Sequence, residues 1–428
     1  MNRTAFFRWL LLTTLLTWAQ RGLAQEKISL PGCYDWAKAN YPVIKKLDLV
    51  AKTGAFDLEN ANKKFLPQVM FSGQATYQSQ TLSFADALGS LPIGTALPTL
   101  SKDQYKIQGE VSQLLYDGGA NQSQKELIKA NTALQSQQLE TSLYAIKNRI
   151  NTIYFSILLL DAQLQQNLTN KASIETQVKK AEAALANGTA FRSSVDELKA
   201  ELINIEKATA EYQGNRIAYL QMLSIFIGKA LPENTELLFP LSQPTSNVGS
   251  RPELKVYDLQ KNIYAAQEKQ LKADYLPQAS VFFQGAYGRP TLNIIENKFG
   301  PWYIAGFRFN WSLNALYTQS NKRKILDMNR KSVEVDRETF LLNLHIDSTQ
   351  QQEQAKKYAA LIKKDVEEIG LRESVKLSAE AQLENGVITT HEFIQKLNAE
   401  HLARQTKVFH EIQLLQAIYN QQFITGNQ

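Results

Sequence analysis

Residues 66–77 read LPQVMFSGQATY, and 210 positions later residues 276–287 read LPQASVFFQGAY. Both open on Leu-Pro-Gln and then alternate. Val69, Phe71, Gly73, Ala75 and Tyr77 fall on one face of an extended chain, with Gln68, Met70, Ser72, Gln74 and Thr76 on the other. In the second copy Ala279, Val281, Phe283, Gly285 and Tyr287 alternate with Gln278, Ser280, Phe282 and Gln284. Two further segments behave alike. Tyr105, Ile107, Gly109 and Val111 alternate with Lys106, Gln108, Glu110 and Ser112, and Tyr303, Ala305, Phe307, Phe309 and Trp311 with Ile304, Gly306, Arg308 and Asn310. Segments of roughly ten residues, apolar on one side and polar on the other, fit transmembrane β-strands with lipid outside and water inside. The aromatic residues near their ends (Tyr77, Tyr105, Tyr287, Trp302, Tyr303 and Trp311) would form an interfacial girdle. A half-buried soluble sheet also alternates. Glu110 and Arg308, on the same side as the glutamines, favour a wet lumen.

Working outward, the copies form an ordered series. Pro42-Val43-Ile44-Lys45 and Asp48-Leu49 recur as Pro252-Glu253-Leu254-Lys255 and Asp258-Leu259 at the same offset. The offset then falls, so that Gln122-Ser123 matches Gln319-Ser320 and Leu185-Ala186-Asn187-Gly188 matches Leu383-Glu384-Asn385-Gly386. A shorter segment after Tyr287 than after Tyr77 explains the fall and marks a loop. Proline is absent from Thr99 to Leu231 and from Trp302 to the end, and both tracts are rich in good helix formers. Ile146, Ile150, Ile153, Ile157, Leu160 and Leu164 recur at spacings of three and four, a helical seam of coiled-coil type. Gly188 and Gly386 interrupt the tracts, each followed by a Ser/Thr-x-x-Glu capping box, Ser194 to Glu197 and Thr389 to Glu392. Each tract therefore reads as an antiparallel helical hairpin. Its first arm, from about Gly119 to Ala186, would run ~100 Å.

The remaining features bound the class. The formal charge is +6, and removing Arg3, Arg8 and Arg21 with a leader leaves 44 basic residues against 41 acidic. No basic cluster interleaves with aromatics, so nucleic acid is not an expected partner. Mean hydropathy of −0.31 excludes a multi-helix inner-membrane protein. Arg3 and Arg8, the apolar run Trp9 to Ala19 and the small residues ending at Ala24 read as a signal peptide over 1–24. No later stretch reaches about 18 apolar residues, so a membrane hold would need a barrel or a lipid. Leu30-Pro31-Gly32-Cys33 faintly resembles a lipoprotein box. Glu26, Lys27 and Pro31 argue against acylation, and the lone cysteine forms no internal disulfide. Four strands cannot close a membrane barrel, which takes about eight, and open edges are not tolerated in lipid, so the strands must be shared among protomers.

No catalytic constellation is present. His391, His401 and His410 are spaced nine or ten apart and do not share a helix face as metal ligands would, and no P-loop, dinucleotide fingerprint or nucleophile elbow occurs. No enzyme activity, cofactor or metal is expected. Gly118-Gly119 reads as a strand-to-helix break.

The repeated helix–strand–strand–helix–helix order resembles the TolC family of outer-membrane factors. The resemblance rests on Cys33-Tyr34-Asp35-Trp36-Ala37 through Asn40-Tyr41-Pro42, both Leu-Pro-Gln strand openings, Leu114-Leu115-Tyr116-Asp117-Gly118-Gly119 and the two Asn-Gly turns, and it covers the whole mature chain. It implies an α+β membrane protein: a homotrimer with one shared twelve-stranded transmembrane β-barrel and a long α-helical coiled-coil tunnel through the periplasm. The implied layout is repeat 1 over 25–228, with strands about 67–80 and 103–116 and a tip near Gly188. A linker follows over 229–250, then repeat 2 over 251–428, with strands about 277–289 and 301–313 and a tip near Gly386. Thr81 to Lys102 and Arg289 to Gly300 would be outer loops. The implied function is an outer-membrane exit duct for efflux or type I-like secretion, a passive conduit. Its partners would be a periplasmic adaptor (membrane fusion) protein, an inner-membrane RND, ABC or MFS-type transporter, and outer-membrane lipid. The adaptor would meet the tip turns Gly188, Thr189, Ala190, Phe191, Arg192 and Ser193, and Gly386, Val387, Thr389 and Thr390. Glu392 falls where the family has a tunnel-lining aspartate, and Gln395 where it has a second acid. Glu392 is also the acid of a capping box, which alone could explain it. Ser194 and Ile388 stand where some members hold the tip closed with an arginine–aspartate link, which these two cannot form. Arg192, Asp196 or Glu197 could supply a substitute. The alternatives are a soluble periplasmic coiled-coil scaffold, which leaves the four alternating segments unused, and an extracytoplasmic hydrolase, which lacks a site.

Overall fold

The computed structural model describes residues 27–81, 100–240, 251–293 and 296–426. The expected signal peptide, most of the Thr81–Lys102 loop and the second half of the 229–250 linker lie outside the described residues. The elements run α1 (Leu30–Asn40), α2 (Ile44–Asn62), β1 (Gln68–Tyr77), β2 (Asp103–Tyr116), α3 (Ala120–Ala186), α4 (Arg192–Ile227), α5 (Pro252–Ala273), β3 (Gln278–Arg289), β4 (Gly300–Asn310), α6 (Ala315–Glu384) and α7 (Thr390–Thr425). At 67 and 70 residues, α3 and α6 are each about 100 Å long. The chain divides into two compact units, to both of which these two helices contribute: Asp48–Gln137 with Lys255–Arg337, and Met1–Leu47 with Gln138–Leu254 and Glu338–Gln428. No described helix is long and apolar enough to cross a membrane, which says nothing of a β-barrel.

The unit containing the strands is built on one antiparallel sheet in the order β1-β2-β3-β4. Both Leu-Pro dipeptides sit at the same kind of joint. Leu66 N–H donates to Lys63 O and Leu276 N–H to Ala273 O, closing the last helical turn. The following proline then cannot continue the helix and sends the chain extended. The four-strand order leaves the outer edges of β1 and β4 without a partner strand among the described residues. At the same, helical end of the sheet, Gly118 and Gly119 take φ of +69° and +83°, a left-handed backbone that glycine adopts at little cost. The Asp117 carboxylate accepts from the N–H groups of Gly119 (3.0 Å) and Asn121 (2.7 Å), capping α3 as it begins.

The second unit is helical and holds two cores. The first buries Leu30, Cys33 and Ala37 of α1 against Ile146, Ile150, Ile153 and Ile157 of α3, with Leu220, Leu223 and Ile227 of α4 and Ile412 and Leu415 of α7. The isoleucine seam of α3 is thus the stripe that the core requires. Ser29 caps α1, accepting from Gly32 N–H, and Pro31 sits in the first turn where no N–H is needed. Cys33 is fully buried in the middle of this packing. The segment before α1 pairs with the described part of the linker through a parallel bridge between Ile28 and Leu237. The Tyr154 hydroxyl lies 2.8 Å from Ile28 O and 2.6 Å from Leu238 O, donating to one at a time. Arg216 clamps the same linker, its guanidinium bonded to Asp161, to Glu233 O and to Thr235 O at 2.8 Å. The Arg251 guanidinium forks onto Glu253, donates to Phe423 O at 2.8 Å, and packs over the rings of Tyr144 and Phe423.

The second core, toward the two turns, joins Ile174 and Val178 of α3, Leu198 and Ile205 of α4, Ala379 of α6 and Phe393, Ile394 and Leu397 of α7. It is a four-helix bundle laced by ion pairs between helices. Lys180 reaches Glu380 (3.2 Å) and Glu384 (2.7 Å), Lys171 reaches Glu206 (2.8 Å), and Arg404 reaches Glu373 (3.2 Å). Such exposed pairs add about 0–1 kcal/mol each, so the apolar core and not the charges holds the bundle.

Candidate functional site

Two surfaces carry chemistry. The first is the sheet, whose register fixes which side chains share a face. Val69 pairs with Val111, Gly73 with Ile107 and Ala75 with Tyr105; Ile107 pairs with Tyr287, Val111 with Phe283, and then Phe283 with Ala305 and Val281 with Phe307. Every apolar series of the four strands therefore lies on one side of one sheet. That face is bare: Phe71 is 81% exposed, Ile107 70%, Tyr303 70% and Phe307 62%. Soluble monomers rarely expose a contiguous apolar patch beyond a few hundred Å². Rings close both ends of the band. At the loop end Arg289 pairs with Asp103 and its guanidinium lies over Tyr105 and Phe299 (5.9 and 5.1 Å). At the helix end the Trp311 indole N–H donates to Tyr275 O at 2.9 Å.

The opposite face aligns Gln68 with Ser112, Ser72 with Gln108, Gln74 with Lys106 and Glu110 with Gln284. Arg308 reaches across β3 to Glu110 at 3.3 Å, with its guanidinium 4.6 Å over the Phe282 ring. Lys106 has only Gln74 and Gly288 as register neighbours.

The second surface is the pair of tight turns. Gly188 and Gly386 have φ of +71° and +69°. Thr189 N–H donates to Ala184 O and Gly188 N–H to Leu185 O; Val387 N–H donates to Gln382 O and Gly386 N–H to Leu383 O. Both are Schellman motifs, with the asparagine as C-cap and the glycine in the left-handed position. Three residues after each glycine comes the N-cap of the returning helix, Phe191 or Thr389. At Thr389 the expected box forms in full: Glu392 N–H donates to the hydroxyl at 3.2 Å and Thr389 N–H to the carboxylate at 2.8 Å. Those bonds hold the exposed Glu392 carboxyl below its usual range.

The box read at Ser194 does not form. Helix α4 starts at Arg192 with Phe191 as an N-cap that makes no side-chain bond, so Ser194 lies inside the first turn. The turn length dictates this. With the same Schellman turn as its counterpart, α4 must begin three residues after Gly188, which places the serine three positions too late to cap.

The remaining candidates separate. Ile388 packs against the tip core, and Ser194 is half-buried. Gln395 is exposed, with its amide 3.0 Å from the His391 ring. Arg192 pairs within its own helix with Asp196 at 3.2 Å, and His391 Nδ1 lies 3.6 Å from Glu197 across α4 and α7. The tips themselves present Phe191, 81% exposed, and Val387, 71% exposed. Of the other histidines, His410 bonds Asp365 at 2.6 Å, and His401 lies 3.2 Å from Asn167 with its pKa lowered by desolvation. Among the described residues no three His, Cys, Asp or Glu side chains gather as metal ligands. The Arg216 clamp and the Lys180 pairs were not readable beforehand, because a lone basic residue on a helix carries no mark of its distant partner.

A family described as outer membrane efflux protein matches residues 37–229. Among solved structures, CusC, reported in the context of folding and transmembrane channel formation, superposes with a TM-score of 0.70 at 13% identity, covering 93% of this chain and 92% of that one. The outer-membrane channel OprN gives 0.68 at 12%, covering 93% and 90%. The Campylobacter jejuni CmeC outer membrane channel gives 0.65 at 12%, covering 93% and 85%. At these identities the likeness is one of fold. Comparison with curated proteins gave no match.

Proposed function

We propose, for a chain whose residues 37–229 match the outer membrane efflux protein family, the role of an exit duct in the outer membrane that extends into the periplasm and conducts solutes without catalysing a reaction. The observation that carries the reading is the bare apolar face on a four-stranded sheet with both edges open. From Tyr303 to Trp311 that face runs about 27 Å at ~3.4 Å per residue. At a strand tilt of roughly 40° this stands ~21 Å tall, close to the ~25 Å apolar band of outer-membrane barrels. The polar face then lines water, and Glu110, Arg308 and the glutamines need no further account.

The finer assignments extend this reading. Three copies would pair the β1 edge of one chain with the β4 edge of the next, giving a shared barrel. Residues 25–228 and 251–428 act as two repeats joined by the 229–250 linker. The tips, with exposed Phe191 and Val387, meet a periplasmic adaptor that links the duct to an energised inner-membrane transporter. Glu392 contributes a carboxylate to the tunnel end while capping α7, and Gln395 adds an uncharged position one turn on. With Ser194 and Ile388 in place of an ionic link, closure rests on the packing of Ile388 against the tip core. A soluble scaffold is the rival, and no observation favours it. The deciding experiment is the oligomeric mass of the membrane-extracted protein in mild detergent, with detergent subtracted. A trimer from the outer-membrane fraction is expected; a monomer released without detergent would overturn the reading.

A further inference from the structure

The polar face of the sheet is not neutral. On the described strands its acids and bases are Glu110, Arg308 and Lys106. Glu110 and Arg308 engage each other at 3.3 Å. Asp103, the other acid of the strands, belongs to the opposite face and is bound to Arg289. Lys106 is left over. Its row across the sheet is Gln74, Lys106, Gly288 and Gly300, one neutral amide and two residues without side chains. Gly288 is required there, since a Cβ would sit 2.3 Å from Tyr105 O and 3.0 Å from Lys106 Cα. The lysine therefore stands over a bare backbone floor, and among the described residues it makes no ion pair.

We infer that Lys106 makes the outer part of the duct prefer anions, so that small organic and inorganic anions pass it more readily than cations of equal size. The inference rests on the proposed reading of the polar face as a water-filled lumen shared by three chains. Lys106 lies near the loop end of β2, so three copies form a ring of positive charge at the outer mouth that no acid among the described residues pairs. The Glu110–Arg308 pairs, two rows and more further in, add no net charge. Whether such a ring reaches the middle of the lumen depends on salt. The Debye length is about 30 Å at 0.01 M and about 3 Å at 1 M. The field spans the opening in dilute salt and is confined to the wall in concentrated salt.

The test is the reversal potential across a planar bilayer holding the purified trimer under a KCl gradient. Wild type, Lys106→Gln and Lys106→Glu would be compared near 0.01 M and near 1 M. The rest of the duct, including Glu392 at the tip, is the same in all three, so only differences between them bear on Lys106. At low salt the chloride-to-potassium permeability ratio should fall by roughly threefold in Lys106→Gln and further in Lys106→Glu, and the differences should vanish at high salt. Equal ratios at low salt, in variants whose conductance at high salt matches wild type, would overturn the inference and leave the duct standing. A chain released as a monomer without detergent would refute the duct itself. A ratio that shifts equally at both salt levels would also overturn the inference, since it would report altered pore shape and not charge.

Discussion

Phe71 and Ser72 are neighbours in β1 that project to opposite faces, and a charge placed at each separates a lipid-facing sheet from a soluble one. Phe71 lies on the apolar face, in the row with Gly109, Gly285 and Tyr303. Its ring covers Gly109, where an added Cβ would stand 3.0 Å from Cε1. Arginine on the lipid face of a barrel at the bilayer midplane costs about 2–4 kcal/mol. If three chains share the barrel as proposed, three such sites far enough apart to add would cost up to about 6–12 kcal/mol. Ser72→Arg puts the same cation among Gln108, Ala286 and Trp302 on the wet face, where a surface substitution stays within about 0.5 kcal/mol. In a soluble sheet the order would reverse. A side chain 81% exposed to water would gain solubility from Phe71→Arg and lose nothing. The assay is the fraction of trimer recovered in phospholipid vesicles along a urea series. Phe71→Arg should abolish or sharply lower recovery while Ser72→Arg tracks wild type. Equal recovery of the two variants would refute the facing assigned to the sheet.

Thr389→Ala should lower stability by about 1 kcal/mol through loss of a working cap, with faster amide exchange over 390–393, whereas Ser194→Ala should leave exchange at the start of α4 unchanged; equal effects would mean α4 begins later than Arg192. Burial pushes the Cys33 thiol up to about 12, so the folded protein should resist maleimide at pH 8 while the urea-unfolded chain reacts at once. Labelling of folded protein would show that α1 detaches from its core. Desolvation lowers the His401 pKa below its ordinary 6.5. The unfolded chain therefore takes up the proton first as the solution is acidified, and stability falls from about pH 6.5 downward until the folded value is passed. His401→Gln should flatten that limb of the urea midpoint against pH, and an unchanged slope would place the titrating group elsewhere.

The sheet was legible from its sequence because each strand carries apolar side chains on one face and mostly polar ones on the other, and a period of two is the mark of that pattern. Gln68 to Tyr77 and Gly300 to Asn310 show it without help from any neighbour. Helix starts at the two tips were legible only where the side chain itself makes the cap. Thr389 and Glu392 bond each other, so four residues contain the whole arrangement. At Ser194 the same four-residue pattern is present, yet the helix start is set by the Schellman turn at Gly188, three residues before the N-cap at Phe191. A backbone turn outside the motif wins over a hydroxyl inside it. The contacts that fasten the described linker, from Arg216 to Glu233 O and Thr235 O and from Tyr154 to Ile28 O and Leu238 O, join residues far apart in sequence through carbonyls that every residue possesses. No pattern of side chains could announce them. The separation of Glu110–Arg308 as a pair from Lys106 as a remainder likewise needed the register, since in sequence all three are charges on polar-facing positions.

The open edges decide how such a chain can reach lipid. In an antiparallel strand about half the residues direct N–H and C=O away from the paired neighbour. With 10 residues in β1 and 11 in β4, each edge leaves about ten polar groups unpaired. Placing an unpaired backbone group in hydrocarbon costs at least about 2 kcal/mol. One protomer inserted alone would then carry a penalty on the order of 40 kcal/mol. Bringing protomers together costs about 4–15 kcal/mol in lost freedom of motion, a fraction of that sum. A membrane-inserted monomer is therefore excluded by a wide margin, and edge pairing must be complete when the apolar face meets lipid. Assembly and insertion become a single event. A substitution that blocks only the β1 edge, such as proline at an outward-directed N–H, should accordingly empty the membrane fraction and leave no trace of a smaller inserted species.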